Sequence, residues 1–171
     1  KIDDFQFDKF NLSGSYRNRR LLISDFRLQS DLGNIDGDGW MNIGISKSKG
    51  LLKNDDRFDL QLTYKNVDID LFNRYSPWGY KSRGLISGTL ELSGSAKKPI
   101  IMSKINILKP GFDKINGEKF SGSITYKDSQ LDFRNLSLKT KNGRYSGFGF
   151  LPVDLNLIID NRIDISKEPI D

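Results

Sequence analysis

A run of oxygen-bearing side chains that begins at Asn34 comes nearest, by residue type and spacing, to a site that could do chemistry. Asn34, Asp36 and Asp38 put oxygens at alternate positions, and a glycine stands sixth, which is how a calcium-binding loop begins. Such a loop needs a glutamate at its twelfth position, where this chain has Ile45. The sequence therefore argues against calcium binding, and we expect no metal.

The composition removes most of the side chains that carry catalysis. The chain has no histidine and no cysteine, which excludes a Ser-His-Asp triad, a thiolate nucleophile and the commonest zinc ligands. Its 22 Asp and Glu residues leave a two-carboxylate hydrolase formally open, but they are scattered at turns and form no motif. We expect a protein that is not an enzyme and uses no cofactor.

The chain carries a net charge of +5, which would suit nucleic acid or an anionic membrane surface. The densest basic groups are Arg17-Arg19-Arg20, Lys47-Lys49-Lys53 and Lys97-Lys98. Aromatic residues are not interleaved with these groups, as they are in surfaces that bind single-stranded nucleic acid. The pattern favours solvated faces and turns, and no nucleic-acid partner is expected.

Apolar and polar residues alternate with a period of two along most of the chain. Phe58, Leu60 and Leu62 show the pattern, which is typical of a strand with one apolar face. Short turn signals separate these runs. About ten to twelve strands are expected, joined by simple hairpins into an antiparallel, all-β sheet. At 36% hydrophobic residues, the chain has too little apolar material for a thick two-sided core.

One segment breaks the alternation and predicts a short helix or 3₁₀ turn near 68–75. Ile69 and Phe72 have helical spacing, and Asp68 is suited to cap the first turn. Pro77 follows soon afterwards and ends the segment.

An internal repeat appears when the chain is shifted by 110 residues. Residues 9–40 then align with 119–150 without a gap, with nine identities in 32 positions, among them Tyr16 with Tyr126. Such self-similarity is typical of elongated repeat architectures. The chain begins with lysine rather than methionine, and no run approaches the roughly 18 apolar residues of a membrane span. We expect residues 1–171 to be one segment of a larger repetitive protein.

The spacing inside each unit predicts curvature. A step of three residues separates Phe133 from Leu136, and the same step separates Ile23 from Phe26, so each strand needs a bulge to keep these side chains on one face. Four glycines leave a strand face bare in the two copies: Gly37, Gly39, Gly147 and Gly149. Repeated bulges and bare glycines favour an elongated, strongly curved antiparallel sheet, a half-pipe with one apolar face.

A phrase rich in glycine and leucine that ends in proline occupies the middle of the chain. Residues 84–99 read Gly-Leu-Ile-Ser-Gly-Thr-Leu-Glu-Leu-Ser-Gly-Ser-Ala-Lys-Lys-Pro, which resembles the recurring Gly, Leu and Pro phrase of the AsmA-like/TamB superfamily. The strand at 105–107, the short helical phrase at 70–77 and the alternating run from 120 to 138 resemble its neighbouring segments. The likeness covers roughly 68–150, and the repeat extends it towards residue 9.

The resemblance implies a β-groove whose hydrophobic inner face shields phospholipid acyl chains. It also implies the periplasmic portion of a Gram-negative envelope protein, with an inner-membrane anchor elsewhere in the parent chain. Transport of phospholipid to the outer membrane, or assembly of that membrane, would be its role, with an outer-membrane β-barrel as partner or client. No catalytic residue is implied.

Strand parity then predicts which side chains line the groove. The candidates are Leu62, Tyr64, Ile86, Leu90, Leu92, Ile105, Ile107, Phe120, Ile124, Tyr126, Leu131, Phe133, Leu136 and Leu138.

Two other functions remain open. A scaffold β-domain could bind strands of a client outer-membrane protein along its free edge, and a surface β-solenoid could bind glycan on Trp40 or Trp78. The aromatic counterpart of Trp40 in the repeat, Phe150, favours packing over sugar binding. An apolar concavity would favour the groove, and a filled two-layer core would favour the alternatives.

Overall fold

The computed structural model of the protein describes residues 8–43, 55–75 and 81–155. These residues form ten β-strands and one 3₁₀ helix. In chain order the elements are β1 (Lys9–Arg17), β2 (Arg20–Ser30), β3 (Gly33–Asn42), β4 (Arg57–Asp68), the 3₁₀ helix (Ile69–Tyr75), β5 (Ser82–Ser95), β6 (Pro99–Phe112), β7 (Ile115–Asn116), β8 (Lys119–Lys127), β9 (Gln130–Thr140) and β10 (Gly143–Pro152). The predicted all-β fold with one short helix is confirmed.

The strands form a single open sheet, curved and antiparallel throughout, in the order β1-β2-β3-β4-β5-β6-β8-β9-β10, with β7 paired to the end of β6. Two-residue turns join β1 to β2, β2 to β3, β8 to β9 and β9 to β10 as the predicted simple hairpins, whereas longer segments, residues 43–56 and 69–81, join β3 to β4 and β4 to β5. Asn18 and Arg19 turn β1 into β2 with φ of 51° and 64°, and Asp128 and Ser129 turn β8 into β9 with φ of 51° and 59°. Positive φ at both central residues is characteristic of a type I′ turn, whose backbone twist matches the twist of the flanking strands.

The short helix follows β4 in the chain and packs against β5. The carboxylate of Asp68 accepts a hydrogen bond from the backbone N–H of Asp70 at 3.0 Å, which confirms Asp68 as the cap. Asn73 ties the helix to β5, since its amide oxygen accepts the Ser82 N–H at 2.7 Å.

The repeat is visible strand by strand. β8, β9 and β10 begin and end 110 residues after β1, β2 and β3 at every boundary. The turns also correspond: the Ser30 hydroxyl accepts the Leu32 N–H at 3.2 Å, and the Thr140 hydroxyl accepts the Asn142 N–H at 3.2 Å. The repeated-strand pattern therefore extends to the hydrogen bonds of the turns.

The predicted bulges are present in both copies. In β2, the three-residue step from Ile23 to Phe26 lies opposite a two-residue step in β3. In β9, the step from Phe133 to Leu136 lies opposite a two-residue step in β10. Each bulge absorbs one residue, so the apolar side chains on both sides of it stay on one face.

Two further bulges were not predicted. β4 has one around Asn66, with φ of 53°, and β6 has one around Lys109, with φ of 50°. The four bulged strands β2, β4, β6 and β9 occupy alternate places in the sheet and so run in the same direction. A bulge bends its strand and increases the local twist, and its recurrence on every second strand accounts for the curvature.

The described sheet is a single layer. Each strand packs mainly against the strands beside it in the sheet, and the 3₁₀ helix packs against β5. Within the described ranges the buried apolar residues are few: Phe58, Val67, Ala96, Pro99, Gly111 and Tyr126. The filled two-layer core that would favour a scaffold or an adhesin is not found in this part of the chain.

Candidate functional site: an open apolar face

Cross-strand pairing sorts the side chains into rows, because directly paired residues of an antiparallel sheet point to the same side. Row A crosses all nine strands of the main path without a break: Gly14, Ile23, Gly39, Leu60, Leu92, Ile101, Tyr126, Leu131 and Leu151. Row B does the same: Leu12, Phe26, Gly37, Leu62, Leu90, Ser103, Ile124, Phe133 and Gly149. With strands about 4.8 Å apart, each row is about 38 Å long.

Two more rows widen the same side. Row C contains Phe10, Leu28, Ile35, Tyr64, Gly88, Ile105, Gly122, Leu136 and Gly147. Row D is shorter and contains Val67, Ile86, Ile107, Phe120, Leu138 and Tyr145. We call rows A to D together the apolar face.

No charged residue stands in these four rows, whereas the opposite side of the sheet, the polar face, carries pairs such as Asp36–Thr63 and Gln61–Glu91 together with exposed apolar side chains such as Met102 and Phe148. Within the described strands, parity places the lysine and arginine side chains on the polar face and at the turns. The net positive charge of the chain therefore does not interrupt the apolar face.

All fourteen candidate lining residues fall on the apolar face. Leu92, Tyr126 and Leu131 are in row A; Leu62, Leu90, Ile124 and Phe133 are in row B; Tyr64, Ile105 and Leu136 are in row C; Ile86, Ile107, Phe120 and Leu138 are in row D. Their contact with lipid remains a prediction.

The candidate list omitted the first third of the face. β1, β2 and β3 extend every long row with large side chains, among them Leu12, Ile23 and Phe26. The repeat could have identified these residues, because Ile23 and Phe26 align with the candidates Phe133 and Leu136.

Side chains of the apolar face are most open at the two edges of the sheet. Phe10 and Leu12 on β1 are 59% and 56% exposed, and Tyr145 and Leu151 on β10 are 58% and 50% exposed. On the middle strands the side chains of the same rows are mostly half-buried by their neighbours. The face is therefore a continuous apolar surface that the described residues leave uncovered.

The hydroxyls of Tyr64 and Ser103, in the middle of the apolar face, are hydrogen-bonded to each other and to backbone carbonyls. The Tyr64 hydroxyl lies 3.2 Å from the Ser103 hydroxyl and 3.3 Å from the Lys104 carbonyl, and Ser103 donates to the Thr89 carbonyl at 3.0 Å. Gly88 makes room for the Tyr64 ring, because a Cβ there would lie 2.7 Å from the hydroxyl oxygen. These bonds satisfy the hydroxyls and keep the middle of the face apolar.

Trp40 lies on the polar face, where the Arg20 guanidinium stacks at 3.8 Å from the ring centroid. The ring is thus packed beneath a cation, which agrees with the interpretation of Trp40 as a packing residue. Trp78 lies outside the described residues.

The calcium-like run lies within β3, an extended strand rather than a loop. Asp36 and Asp38 are two residues apart, so both project from the polar face. Across the described ranges, no three His, Cys, Asp or Glu side chains are grouped to hold a metal ion. None of the helical segments that the structure describes has the length and apolar character of a membrane span.

Comparisons with protein-family models, with curated proteins and with solved structures gave no match. The likeness to the AsmA-like/TamB superfamily therefore depends on the residues of the chain alone.

Proposed function

We propose that the apolar face shelters the acyl chains of phospholipid. The chain would serve as one periplasmic segment of a longer envelope protein that carries phospholipid to the outer membrane or assists its assembly. The sequence likeness in residues 68–150 suggests the setting, and the open face supplies the physical basis.

One observation carries the proposal: rows A and B cross nine strands without a charged residue and without a second layer among the described residues. Apolar surface left in water costs roughly 25 cal/mol per Å². Contiguous exposed apolar patches above a few hundred Å² mark sites that bind a partner or a ligand. A surface of this length is stabilised when an apolar ligand covers it.

The shape of the face suits a long, featureless ligand. Sites for compact small molecules hold a few polar groups that fix the orientation of the ligand. On the apolar face the hydroxyls of Tyr64 and Ser103 are already hydrogen-bonded within the sheet. Nothing in rows A and B distinguishes one position along an acyl chain from another, so a hydrocarbon chain can occupy the face in many positions at similar free energy.

The proposal is tested with a phospholipid that carries a photoactivatable diazirine in its acyl chain. The purified protein is mixed with vesicles of this lipid and irradiated, and the modified residues are mapped by peptide mass spectrometry. Adducts are expected on rows A to D, with few on the polar face. Adducts spread equally over both faces, or none on protein shown to be folded, would contradict the proposal.

Neighbouring residues on β9 give a matched pair of variants. Leu138 is in row D, and Ser137 points to the polar face, where it pairs with Ser121 and Ser146. Leu138→Asp puts a charge on the apolar face and should lower lipid crosslinking at least fivefold, since burying a carboxylate against hydrocarbon is strongly unfavourable. Ser137→Asp should leave crosslinking unchanged. An equal loss in both variants would show that charge alone, and not the face, decides binding.

A further inference from the structure

Positive charge is concentrated at one end of the strands β5 to β10. We call this end the basic rim and define it as residues 81–83, 108–119 and 139–144. It contains eight Lys and Arg residues and two acidic residues, a net charge of +6. The whole chain has a net charge of +5, so all the residues outside the rim together carry −1. The densest basic groups along the sequence lie elsewhere, because the cations of the rim come from three separate segments.

Backbone pairing brings the three segments of the rim together. Lys119, the first residue of β8, pairs with Leu108 on one side and with Lys139 on the other, and Lys139 pairs in turn with Arg144. Like charges directly opposite one another in a sheet are destabilising. Lys139 has a 2.6 Å ion pair with Glu118, and among the described residues it is the one cation of the eight in an ion pair. The rim therefore keeps most of its positive charge uncompensated.

The first unit of the repeat shows that the fold does not require this charge. At the offset of 110, Lys119 matches Lys9, whereas Lys139, Lys141 and Arg144 match Gln29, Asp31 and Asn34. The turn from β2 to β3 nevertheless has the same side-chain hydrogen bonds as the turn from β9 to β10. Three cations have thus been placed together where uncharged or acidic residues form the same structure.

A hairpin with exposed apolar side chains projects from the basic rim. β6 continues for four residues past Leu108, its last residue to pair with β8, which is about 13 Å. The chain turns at Asp113 and returns through β7, and the backbone N–H of Lys109 donates to the Glu118 carbonyl at 3.0 Å. Ile115 and Leu108 are 63% and 50% exposed. The projecting part of the rim therefore combines aliphatic side chains with positive charge.

The neighbouring strand β5 holds the hairpin in place. The Arg83 guanidinium donates to the side-chain oxygen of Asn116 at 2.6 Å and to the Asp113 carbonyl at 3.4 Å. The Lys81 carbonyl accepts the Asp113 N–H at 3.1 Å. These bonds fix the turn, so Ile115 is presented from a supported hairpin.

We propose that the basic rim docks on the surface of an anionic phospholipid bilayer. The lysine and arginine side chains contact the lipid phosphates, and Ile115 enters the headgroup region. Each Lys or Arg near an anionic membrane strengthens binding about fivefold, and an apolar side chain buried at the acyl boundary adds to this. Lysine stems can cover apolar surface while their ammonium groups stay in water. Docking goes beyond the sheltering of acyl chains on the apolar face and does not depend on it.

The charge of the rim would also attract single-stranded nucleic acid. Surfaces that bind it carry aromatic rings among the basic groups, on which the bases stack. The most exposed large apolar side chain of the rim is that of Ile115, which has no ring. A bilayer interface accepts an aliphatic side chain, so this chemistry favours a membrane.

Docking through the rim sets the orientation of the sheet. The rim consists of strand ends, so the strands extend away from the bilayer. Phe120 and Leu138 of row D lie next to Lys119 and Lys139 in the chain. Row D is therefore the part of the apolar face nearest to the membrane.

Vesicle flotation with the full chain tests the proposal. One set of vesicles contains phosphatidylglycerol mixed with phosphatidylcholine, and the other contains phosphatidylcholine alone. Binding to the anionic vesicles should be at least tenfold tighter and should weaken as salt is added. Equal binding to both sets, or no binding by protein shown to be folded, overturns the proposal.

Two triple variants remove the same charge from opposite ends of the strands. Lys139→Gln, Lys141→Gln and Arg144→Asn together should weaken flotation at least tenfold, and they should fold because the first unit has uncharged or acidic residues at these positions. The control variant combines Lys97→Gln, Lys98→Gln and Lys127→Gln, and it should bind nearly as well as the natural chain. An equal loss in both variants would mean that net charge, and not the rim, determines binding, and so would overturn the proposal.

Three single substitutions and a competitor complete the test. Ile115→Ser should weaken binding about threefold, whereas Met102→Ser, on the polar face away from the rim, should have no effect. A soluble polyanion is the partner, and the proposal fails, if a single-stranded oligonucleotide displaces the vesicles and Ile115→Ser binds them normally. Ile124→Asp, in the middle of the apolar face, should leave flotation intact. Its loss of flotation would show that the apolar face holds the vesicles, which overturns docking through the rim but not the sheltering of acyl chains.

Discussion

The β1–β3 unit and the β8–β10 unit have strands of equal length at a constant offset, with matching hairpin turns and a bulge at the same step. They differ in which strand is at the edge of the sheet, since it is the first strand of one unit and the last strand of the other. Among the described residues, β1 is an open edge and β3 is covered by β4 in the first unit, whereas in the second unit β8 is covered by β6 and β10 is the open edge. Local sequence therefore determines that a strand forms and where it bends. Which edge is protected depends on the strand that the chain path places beside it.

The glycines make the difference concrete. Gly39 has φ of 140° and lies against the backbone of β4, whereas Gly149 occupies the same place in the repeat with no positive φ and open space above it. One residue type at equivalent positions is thus required by packing in one unit and unconstrained in the other. Substitutions at matched positions can measure how far the two units differ.

The largest effect is expected for alanine at these glycines. Gly39→Ala should lower the free energy of unfolding by about 3 kcal/mol, because its Cβ meets the β4 backbone and its φ disfavours a side chain. Gly149→Ala should raise it by about 0.5 kcal/mol, since alanine restricts the unfolded chain and touches nothing in the sheet. Urea unfolding followed by circular dichroism measures both. Similar losses in the two variants would mean that the β10 edge is already covered.

A smaller effect concerns the aromatic residue on the polar face. Trp40 lies under the Arg20 guanidinium, whereas its counterpart Phe150 is 69% exposed and has Gln130 in place of the arginine. Arg20→Gln should lower the free energy of unfolding by about 0.7 kcal/mol, and Gln130→Arg should raise it by a smaller amount.

Urea unfolding tests that exchange, with the emission of Trp40 as a second readout, because Arg20→Gln alters the surroundings of the indole and Gln130→Arg does not. Arg20→Lys is the matched control, since it keeps the charge but loses the flat guanidinium. If Lys restores the full stability, charge rather than stacking holds the ring. An unchanged emission in Arg20→Gln would show that the stack is absent in solution.

Much of this fold could be predicted from the sequence because alternation and turns are local signals. The three-residue step from Ile23 to Phe26 predicted a bulge, because both side chains can lie on one apolar face only if one residue between them is absorbed. The repeat aligns this step with the step from Phe133 to Leu136 and so predicted the same bulge in β9. The candidate lining residues share one face because each bulge absorbs one residue, which keeps the apolar side chains before and after it on the same side of the sheet. Whether lipid contacts them is a question that pairing cannot answer.

The parts that could not be predicted depend on which strands meet. β3 and β10 have equivalent glycines and equivalent lengths, so nothing local distinguishes the covered strand from the open one. The stacking of Arg20 on Trp40 requires the register of β2 against β3, which alternation leaves undetermined. The bulges around Asn66 and Lys109 fall in strands outside the repeat, where no second copy drew attention to them.

The smallest expected effect concerns the hairpin turns, where Arg19 of the first unit makes an ion pair with Asp56 and its counterpart Ser129 donates a 3.4 Å hydrogen bond to Asp154. Arg19 and Ser129 both have positive φ, which favours glycine in this turn type. Ser129→Gly should raise the free energy of unfolding by about 0.5 kcal/mol. Arg19→Gly should gain less, because it also removes the 3.3 Å contact from the Arg19 guanidinium to the nearly buried carboxylate of Asp56 next to β4.

The double variant Arg19→Gly with Asp56→Asn separates the two contributions in urea unfolding. If the ion pair offsets the turn, Arg19→Gly should be more favourable in the Asp56→Asn background than in the natural chain. Equal gains for Arg19→Gly and Ser129→Gly in the natural chain would show that the contact with Asp56 contributes nothing. The two turns would then be energetically equivalent, and the difference between the units would lie in their covered and open edges alone.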